Sequence, residues 1–266
     1  MDKTELKFLI KNELTSIYGE QEANNIANYY LQCIRDFRHW ENDLKELKAF
    51  KPVQYVTNTA YFFEDALYVD ENVLIPRPET EELVYLTQKV LGRSFCKSIV
   101  DIGTGSGCIA LALKKFMPSS SVVALDISSE ALAVASKNSA ILDRPITTVQ
   151  LNFLMEDDRI SLGEPDCIVS NPPYISEDEK VTMSPNVLNY EPHLALFSPN
   201  DPLAFYKAIS QWVSGFRTKV PHVFVEVNEN KGLKIKELFS NTGMYYKVEL
   251  YKDMQGKDRI IYCRPR

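Results

Sequence analysis

The chain has few cysteines, few histidines, no long apolar run and no surplus of positive charge. Its five cysteines, Cys33, Cys96, Cys108, Cys167 and Cys263, are odd in number and show no C-x-x-C spacing. Neither a disulfide framework nor a zinc site is implied, and a reducing compartment is expected. The three histidines, His39, His193 and His222, do not cluster, so each reads as structural or surface rather than as a general base. The amino terminus, Met1-Asp2-Lys3-Thr4-Glu5, lacks the basic start and apolar core of a signal peptide, and no apolar run approaches the ~20 residues that a membrane span needs. A cytoplasmic protein is expected. Thirty Lys and Arg against 36 Asp and Glu leave a net charge of -6, which disfavours an extended electrostatic footprint for nucleic acid. Repeats and low-complexity segments are also missing.

What is present is a core: 45% of the 266 residues are apolar, enough for one large domain or two ordinary ones. Residues 4–50 have a helical pattern. Leu6, Leu9, Ile10, Leu14 and Ile17 share one face, Ile26, Tyr29, Tyr30, Cys33 and Phe37 share another, and Gly19 ends the first helix. The Val, Tyr, Thr and Phe content of 52–73 predicts a β-hairpin, with Asn58-Thr59 and Asp65 as turn candidates. Pro76-Arg77-Pro78 is a rigid segment, and a helix over 79–91 follows with acidic residues in its first turn.

Strands and helices then alternate. Ser98-Ile99-Val100-Asp101-Ile102 is a short apolar strand, Gly103-Thr104-Gly105-Ser106-Gly107 a turn, and 108–117 a helix, which together form a nucleotide-cradling βα unit. The dinucleotide fingerprint needs a third glycine at 108, where this chain has Cys108, so an NAD site is disfavoured. The next strand, 122–125, runs into Asp126, about twenty residues beyond the glycines, as a ribose-hydroxyl acceptor requires. Asp126 also suits a helix cap, as do Ser128 and Ser129. A helix over 129–142 leads to a strand near 147–151 that ends in Asn152-Phe153, and 167–170 reads as a buried parallel strand. Beyond it come a helix over 202–216, a strand over 222–227, a helix over 230–242, and a plausible antiparallel pair, 245–251 with 259–263.

Asn171-Pro172-Pro173-Tyr174 follows the buried strand, at the carboxyl end where open α/β sheets bind ligands. The prolines fix φ and remove two N–H donors, leaving the Pro172 carbonyl and the Asn171 side-chain oxygen as acceptors on a stiff frame. Such a pair can grip an NH2 group, and Tyr174 adds a flat face on which a planar amide or base can stack. A loop that merely turns after a strand is the other reading. Residues 175–200 are too long and irregular for a connector alone and are expected to form a lid or substrate wall.

Together these residues resemble a class I S-adenosylmethionine-dependent methyltransferase with an amino-type catalytic motif. Leu74-Ile75-Pro76-Arg77-Pro78-Glu79-Thr80-Glu81, the D-I-G-T-G-S-G turn and N-P-P-Y-I at 171–175 look more narrowly like the release factor glutamine N5-methyltransferase family, in that order and at similar separations. Pro52-Val53-Gln54-Tyr55, the Phe62-Phe63 pair and Tyr190-Glu191-Pro192 echo it, so the resemblance runs from about Lys51 to the carboxyl end. It implies an α/β fold: a seven-stranded Rossmann-like methyltransferase sheet with its last strand antiparallel, preceded by a small amino-terminal helical domain and a β-hairpin linker. The expected divisions are 1–50 for substrate recognition, 51–75 for the linker and 76–266 for the methyltransferase domain. Helices that merely cap the catalytic core are the alternative for 1–50.

The resemblance implies S-adenosyl-L-methionine as cofactor, held by Asp101, Gly103, Thr104, Gly105, Ser106, Gly107, Asp126, Asn152, Phe153 and Asn171. It implies Asn171, Pro172 and Tyr174 as catalytic. Asn171, Pro172, Pro173 and Tyr174 would contact the substrate, with Arg77 and Glu79 beside them; a Pro-defined helix start with ordinary surface charges is the other reading of those two. The implied partner is a peptide chain release factor, methylated on the glutamine of its Gly-Gly-Gln motif, with no direct nucleic-acid or membrane binding and a monomeric enzyme. Three departures stand out: Asn152 where the family usually has an acidic residue, Phe50-Lys51 where it commonly has Gly-Glu, and Asn58 where it commonly has Gly.

A glutamine amide is a poor nucleophile because its lone pair is delocalised into the carbonyl, so positioning is the main lever. Hydrogen bonds from its NH2 to the Asn171 oxygen and the Pro172 carbonyl would orient the nitrogen and favour the positive charge that develops there. Rivals are a ribosomal-protein glutamine methyltransferase, which shares the whole core, and an adenine-N6 DNA methyltransferase, which needs a basic duplex-binding surface that is not visible here. A binding module without turnover is a third.

Overall fold

The computed structural model describes residues 2–34, 36–92, 96–198 and 201–266. Its first elements are α1 (Lys3–Tyr18), α2 (Glu20–Cys33) and α3 (Trp40–Lys48). Asp2 starts α1 with a capping box, accepting from the Thr4 and Glu5 N–H groups while the Glu5 carboxylate takes the Asp2 N–H. Gly19, at φ +80°, ends it, as expected. Leu6, Ile10 and Leu14 pack on Ala23, Ile26, Ala27 and Tyr30, all essentially buried. Each fully buried Leu or Ile contributes about 1.5–3 kcal/mol. Phe37 departs from its expected helix face. The chain turns extended at Ile34, so Phe37 begins a separate 3-10 turn, started by Asp36, and reaches the same apolar cluster from there.

Residues 51–75 hold one helical turn, α4 (Val53–Val56), and the expected hairpin, β1 (Ala60–Phe62) with β2 (Asp65–Leu67). Its turn is Phe63-Glu64 rather than Asp65. Phe63 is held at φ +52° by edge-to-face contacts with Phe62 and Phe116 and by the Glu81 carboxylate on its N–H, at 2.5 Å. Asp65 opens β2 and is gripped by both terminal nitrogens of Arg144, at 2.6 and 2.8 Å.

From α5 (Pro78–Leu91) onward the chain builds one mixed seven-stranded sheet, in spatial order β5-β4-β3-β6-β7-β9-β8. The strands are β3 (Ser98–Ile102), β4 (Ser121–Asp126), β5 (Thr147–Gln150), β6 (Cys167–Ser170), β7 (His222–Glu226), β8 (Tyr245–Lys252) and β9 (Asp258–Pro265). Only β9 opposes the rest. It is antiparallel to both β7 and β8 and sits between them, as the expected last strand does. Between strands lie α6 (Cys108–Phe116), α7 (Ser129–Ile141), α8 (Glu156–Arg159), α9 (Pro185–Tyr190), α10 (His193–Leu196), α11 (Ala204–Ser214) and α12 (Gly232–Ser240).

Alternate strand residues feed two cores. Ile99, Cys167, Val169 and Phe224 pack with Leu83 and Val84 of α5 and Leu111 and Leu113 of α6. Val100, Ile168, Val223 and Val225 face the other way, onto Ile209 of α11 and Phe239 of α12. Burial on both faces explains why these strands read as continuous apolar runs. The helices over 202–216 and 230–242 come out two residues shorter at each end, as α11 and α12. The 175–200 segment is more ordered than expected: a 3-10 helix (Glu177–Thr182), α9 and α10, closed by a bridge between Ile175 and Phe197. Its last two residues, Pro199 and Asn200, lie outside the described residues. No helix among the described residues is long and apolar enough to cross a membrane.

Candidate active site

A cavity of about 380 Å³ opens over the carboxyl ends of β3, β4 and β6. Of the residues singled out in the sequence, Gly103, Gly105, Asp126, Asn152, Phe153, Asn171 and Pro173 line it. Asp101, Thr104, Ser106, Gly107, Pro172 and Tyr174 are not on its wall, and the first three are buried. Arg77 and Glu79 are not on the cavity wall.

The glycine side is tied together locally. Gly103 and Thr104 donate their N–H groups to the Leu125 carbonyl, at 2.9 and 2.8 Å, which docks the turn on the end of β4. The Gly105 N–H donates to Asp126 Oδ2 at 2.9 Å, and the Ser128 N–H to Oδ1 at 3.1 Å. Burial raises the Asp126 carboxyl and these N–H groups pull it back. Asp101 is wholly buried under the turn and takes the Thr104 hydroxyl on Oδ2 at 2.7 Å; burial pushes it up to about 7. Gly103 and Gly105 have φ of +72° and +53°, and a Cβ on either would meet nothing within 4 Å. The backbone is therefore bare toward open space, as close approach to a ligand requires.

Asn152 and Phe153 follow β5. Asn152 Oδ1 accepts the Leu154 N–H at 3.1 Å, so one of its lone pairs is already committed. Phe153 is buried, with its ring edge-on to Trp212 at 5.5 Å. The sequence reading missed two apolar neighbours, Ile127 and Leu154, which line the cavity and remain 43% and 42% exposed. The available signal was Ile127 itself, an aliphatic residue placed directly after Asp126 where a helix cap needs none.

The Asn171 side is tied together across the fold. Asn171 Nδ2 donates to Thr80 Oγ1 at 3.1 Å, and Thr80 Oγ1 donates to Glu226 Oε2 at 2.8 Å. Tyr174 donates its hydroxyl to Glu226 Oε1 at 3.4 Å, and the Tyr206 hydroxyl donates to the Glu226 carbonyl at 2.8 Å. Burial raises the Tyr174 hydroxyl far above its ordinary range, with the Glu226 charge adding to it. Lys231 Nζ holds the Tyr174 carbonyl at 3.1 Å. Thr80 and Glu226 were both missed. Glu226 ends a strand that reads as apolar, and a carboxyl there was the signal.

Arg77 Nη2 donates to Glu191 Oε1 at 2.5 Å, and Glu191 Oε2 takes the Ile75 N–H at 3.3 Å. The Glu191 side chain is 1% exposed, so this pair fastens the 175–198 wall to the Pro-Arg-Pro segment. Tyr190 fastens the same wall to the first helices through its hydroxyl on the Ala49 carbonyl, at 2.7 Å. Pro192, Ala195 and Phe197 carry the wall to the cavity.

The methyltransferase small domain matches residues 84–189. A release factor glutamine methyltransferase of Flavobacterium psychrophilum is 44% identical over 270 residues, covering 93% of this chain and 94% of its own. One from Streptococcus pneumoniae is 38% identical over 262 residues, covering 97% and 85%. The chain belongs to the release factor glutamine methyltransferase family. Among solved structures, the catalytic domain of hMettl16 bound to an RNA hairpin superposes with a TM-score of 0.60 at 15% identity, covering 99% of this chain and 91% of that one. The 16S rRNA N2 G1207 methyltransferase of T. thermophilus, with AdoMet and guanosine, gives 0.52 at 16%, covering 78% and 50%. At those identities the likeness concerns the fold alone. Two of the departures from the family pattern now have a backbone reason: Phe50 and Asn58 sit at φ +68° and +47°, where glycine is the easiest residue to fit. Asn58 holds its turn by donating Nδ2 to the Val69 carbonyl at 3.0 Å, and Phe50 packs on Tyr18 with ring centroids 5.3 Å apart.

Proposed function

We propose that this chain transfers a methyl group from S-adenosyl-L-methionine to the side-chain N5 nitrogen of the glutamine in the Gly-Gly-Gln motif of peptide chain release factors. The observation that carries the reading is the anchored Asn171 at the cavity edge, in a chain whose relatives in two bacteria are named for this reaction.

The residues present fit the cofactor. Gly103 and Gly105 leave the backbone bare on the cavity side, Asp126 offers a carboxylate to sugar hydroxyls, and Ile127, Phe153 and Leu154 make an apolar slot of the kind a purine fills. Asp101 and Thr104 brace the turn from behind. Bound there, S-adenosylmethionine supplies a methyl group on a positively charged sulfur. The chain supplies the rest. With its NH2 held by Thr80, Asn171 turns its oxygen to the acceptor amide, and the Pro172 carbonyl takes the second N–H of that amide. These two acceptors would orient the nitrogen and favour the positive charge that develops on it as the methyl group leaves sulfur, giving S-adenosylhomocysteine; the methylated nitrogen would then give up one of its two protons to water. Tyr174, whose hydroxyl is committed to Glu226, stiffens the segment that carries Asn171 and Pro172. The 192–198 wall covers one side of the cavity.

Helices α1–α3, which belong to the 1–50 region, are the proposed recognition surface for the protein partner, joined by a 51–75 linker to a 76–266 catalytic domain. A net charge of -6 fits a protein partner in the cytoplasm better than a nucleic-acid one, and nothing in the reading requires more than a monomer. The test offers labelled S-adenosylmethionine with unmethylated release factor, ribosomal protein or duplex DNA, and locates the product by mass spectrometry. One methyl on the Gly-Gly-Gln glutamine is expected. Label only on ribosomal protein or DNA would reject the reading.

A further inference from the structure

The Asn171 amide is useful in one orientation only: its oxygen must face the acceptor and its NH2 must face away. An amide can flip, and the two ends have the same shape. Something must hold it.

The three-element contact behind Asn171 has a fixed direction. Thr80, in the first turn of α5, lies 2.8 Å from Glu226 Oε2 at the end of β7 and 3.1 Å from Asn171 Nδ2 at the end of β6. An ionised carboxylate accepts hydrogen bonds and cannot donate one. The single Thr80 hydroxyl hydrogen therefore goes to Glu226, and the Thr80 oxygen is left as an acceptor. Only the NH2 end of Asn171 can satisfy it. The flipped amide would set two acceptor oxygens against each other at a part-buried contact, which is unfavourable.

We propose that Glu226, acting through Thr80, sets which end of the Asn171 amide faces the cavity, and that both are positioning residues for methyl transfer. This rests on the reading of Asn171 given above. The relay also carries its own pH dependence. A protonated Glu226 can donate to Thr80, which frees the Thr80 hydrogen for the Asn171 oxygen and makes the two amide orientations comparable. The groups facing Glu226 are Thr80 and Glu79 from α5, Cys108 from the start of α6, Tyr174 from the loop after β6, Tyr206 from α11, and Arg259 from β9, itself paired with Asp253 at 3.1 Å. Burial outweighs the Thr80, Arg259 and Tyr174 contributions and pushes the carboxyl up to about 7.

The test uses the full chain with Thr80→Val, Thr80→Ser and Glu226→Gln, and reads kcat, acceptor KM and the Kd of S-adenosylhomocysteine between about pH 6 and about pH 9. Thr80→Val keeps the shape and loses the hydroxyl; it should lower kcat by ~10- to 100-fold while the cofactor-product Kd stays within about twofold. Thr80→Ser should recover most of the loss. Wild-type kcat should fall with acid on an apparent pKa near 7, and Glu226→Gln should be slow and flat. Wild-type kcat in Thr80→Val, a Thr80→Ser no better than the valine, or an unchanged acid arm in Glu226→Gln overturns the proposal. If the wild-type protein transfers nothing to release factor, the functional reading fails by itself, and the orientation is read without turnover from the Asn171 side-chain NH2 signals in a 15N-correlated spectrum. A slowly exchanging pair that becomes fast in Thr80→Val supports the relay, and a pair already fast in the wild type overturns it.

Discussion

The two walls of the cavity are built in opposite ways. On the glycine side the partners are close in sequence: Asp101 and Thr104 are 3 residues apart, Gly105 and Asp126 are 21 apart. On the Asn171 side they are 91 and 146 apart, and the Arg77–Glu191 pair that fastens the outer wall spans 114. The first wall is a property of one βα unit and the strand beside it. The second exists only once α5, β6 and β7 have come together. A local wall suits a ligand that recurs across many acceptors, and an assembled wall suits discrimination between acceptors.

The largest expected effect lies on the assembled side. Asn171→Ala removes the oxygen that grips the acceptor amide and should cut kcat by at least ~100-fold, measured by label transfer at saturating cofactor. An Asn171→Ala protein with full turnover would sink the role assigned to it.

Next comes the fastening of the outer wall. Stripping one partner from a fully buried ion pair costs about 3–5 kcal/mol. Arg77 is 33% exposed and Glu191 1%, so solvent screens the pair in part and Arg77→Ala should cost roughly 2–3 kcal/mol in urea unfolding, with a raised acceptor KM. Unchanged stability and KM would mean that the wall is held elsewhere.

A pH-dependent effect distinguishes the local side. The Asp101 carboxyl is raised from an ordinary 3.8 to about 7 by burial. The folded protein therefore holds this proton more tightly than the unfolded chain does. The stabilisation is fully present below about 3.8 and is lost as pH rises through about 7. Above that pH the charged form is carried at a cost to the fold. Asp101→Asn should accordingly raise Tm at alkaline pH and flatten its dependence between those two values, while weakening cofactor binding. A Tm that falls in the variant at alkaline pH would contradict the sign.

The same division governs what the sequence made legible. The seven strands and the antiparallel last one followed from strand count and family pattern, whereas the order of the strands in the sheet did not; Asn171-Pro172-Pro173-Tyr174 could be read because its parts are contiguous. The glycine turn and Asp126 could be read because a βα unit fixes their separation. Thr80 and Glu226 could not, since nothing local distinguishes a threonine in a first helical turn or a carboxyl ending an apolar strand. Arg77 could be noticed from its place between two prolines, but its partner, the wall residue Glu191, could not, because no local spacing reveals it. The hairpin turn at Phe63-Glu64 was hidden for a related reason, because a phenylalanine at positive φ is held there by Phe116 and Glu81 rather than by turn chemistry.

The most direct test of the two-wall account is a crossed comparison of Asp126→Ala and Asn171→Ala, measuring cofactor Kd by calorimetry and kcat at saturating cofactor in the same preparations. The account predicts that Asp126→Ala raises Kd by ~10-fold or more with kcat little changed, and that Asn171→Ala does the reverse. Both parameters falling together in both variants would contradict it, because binding and orientation would then not be divided between the two walls.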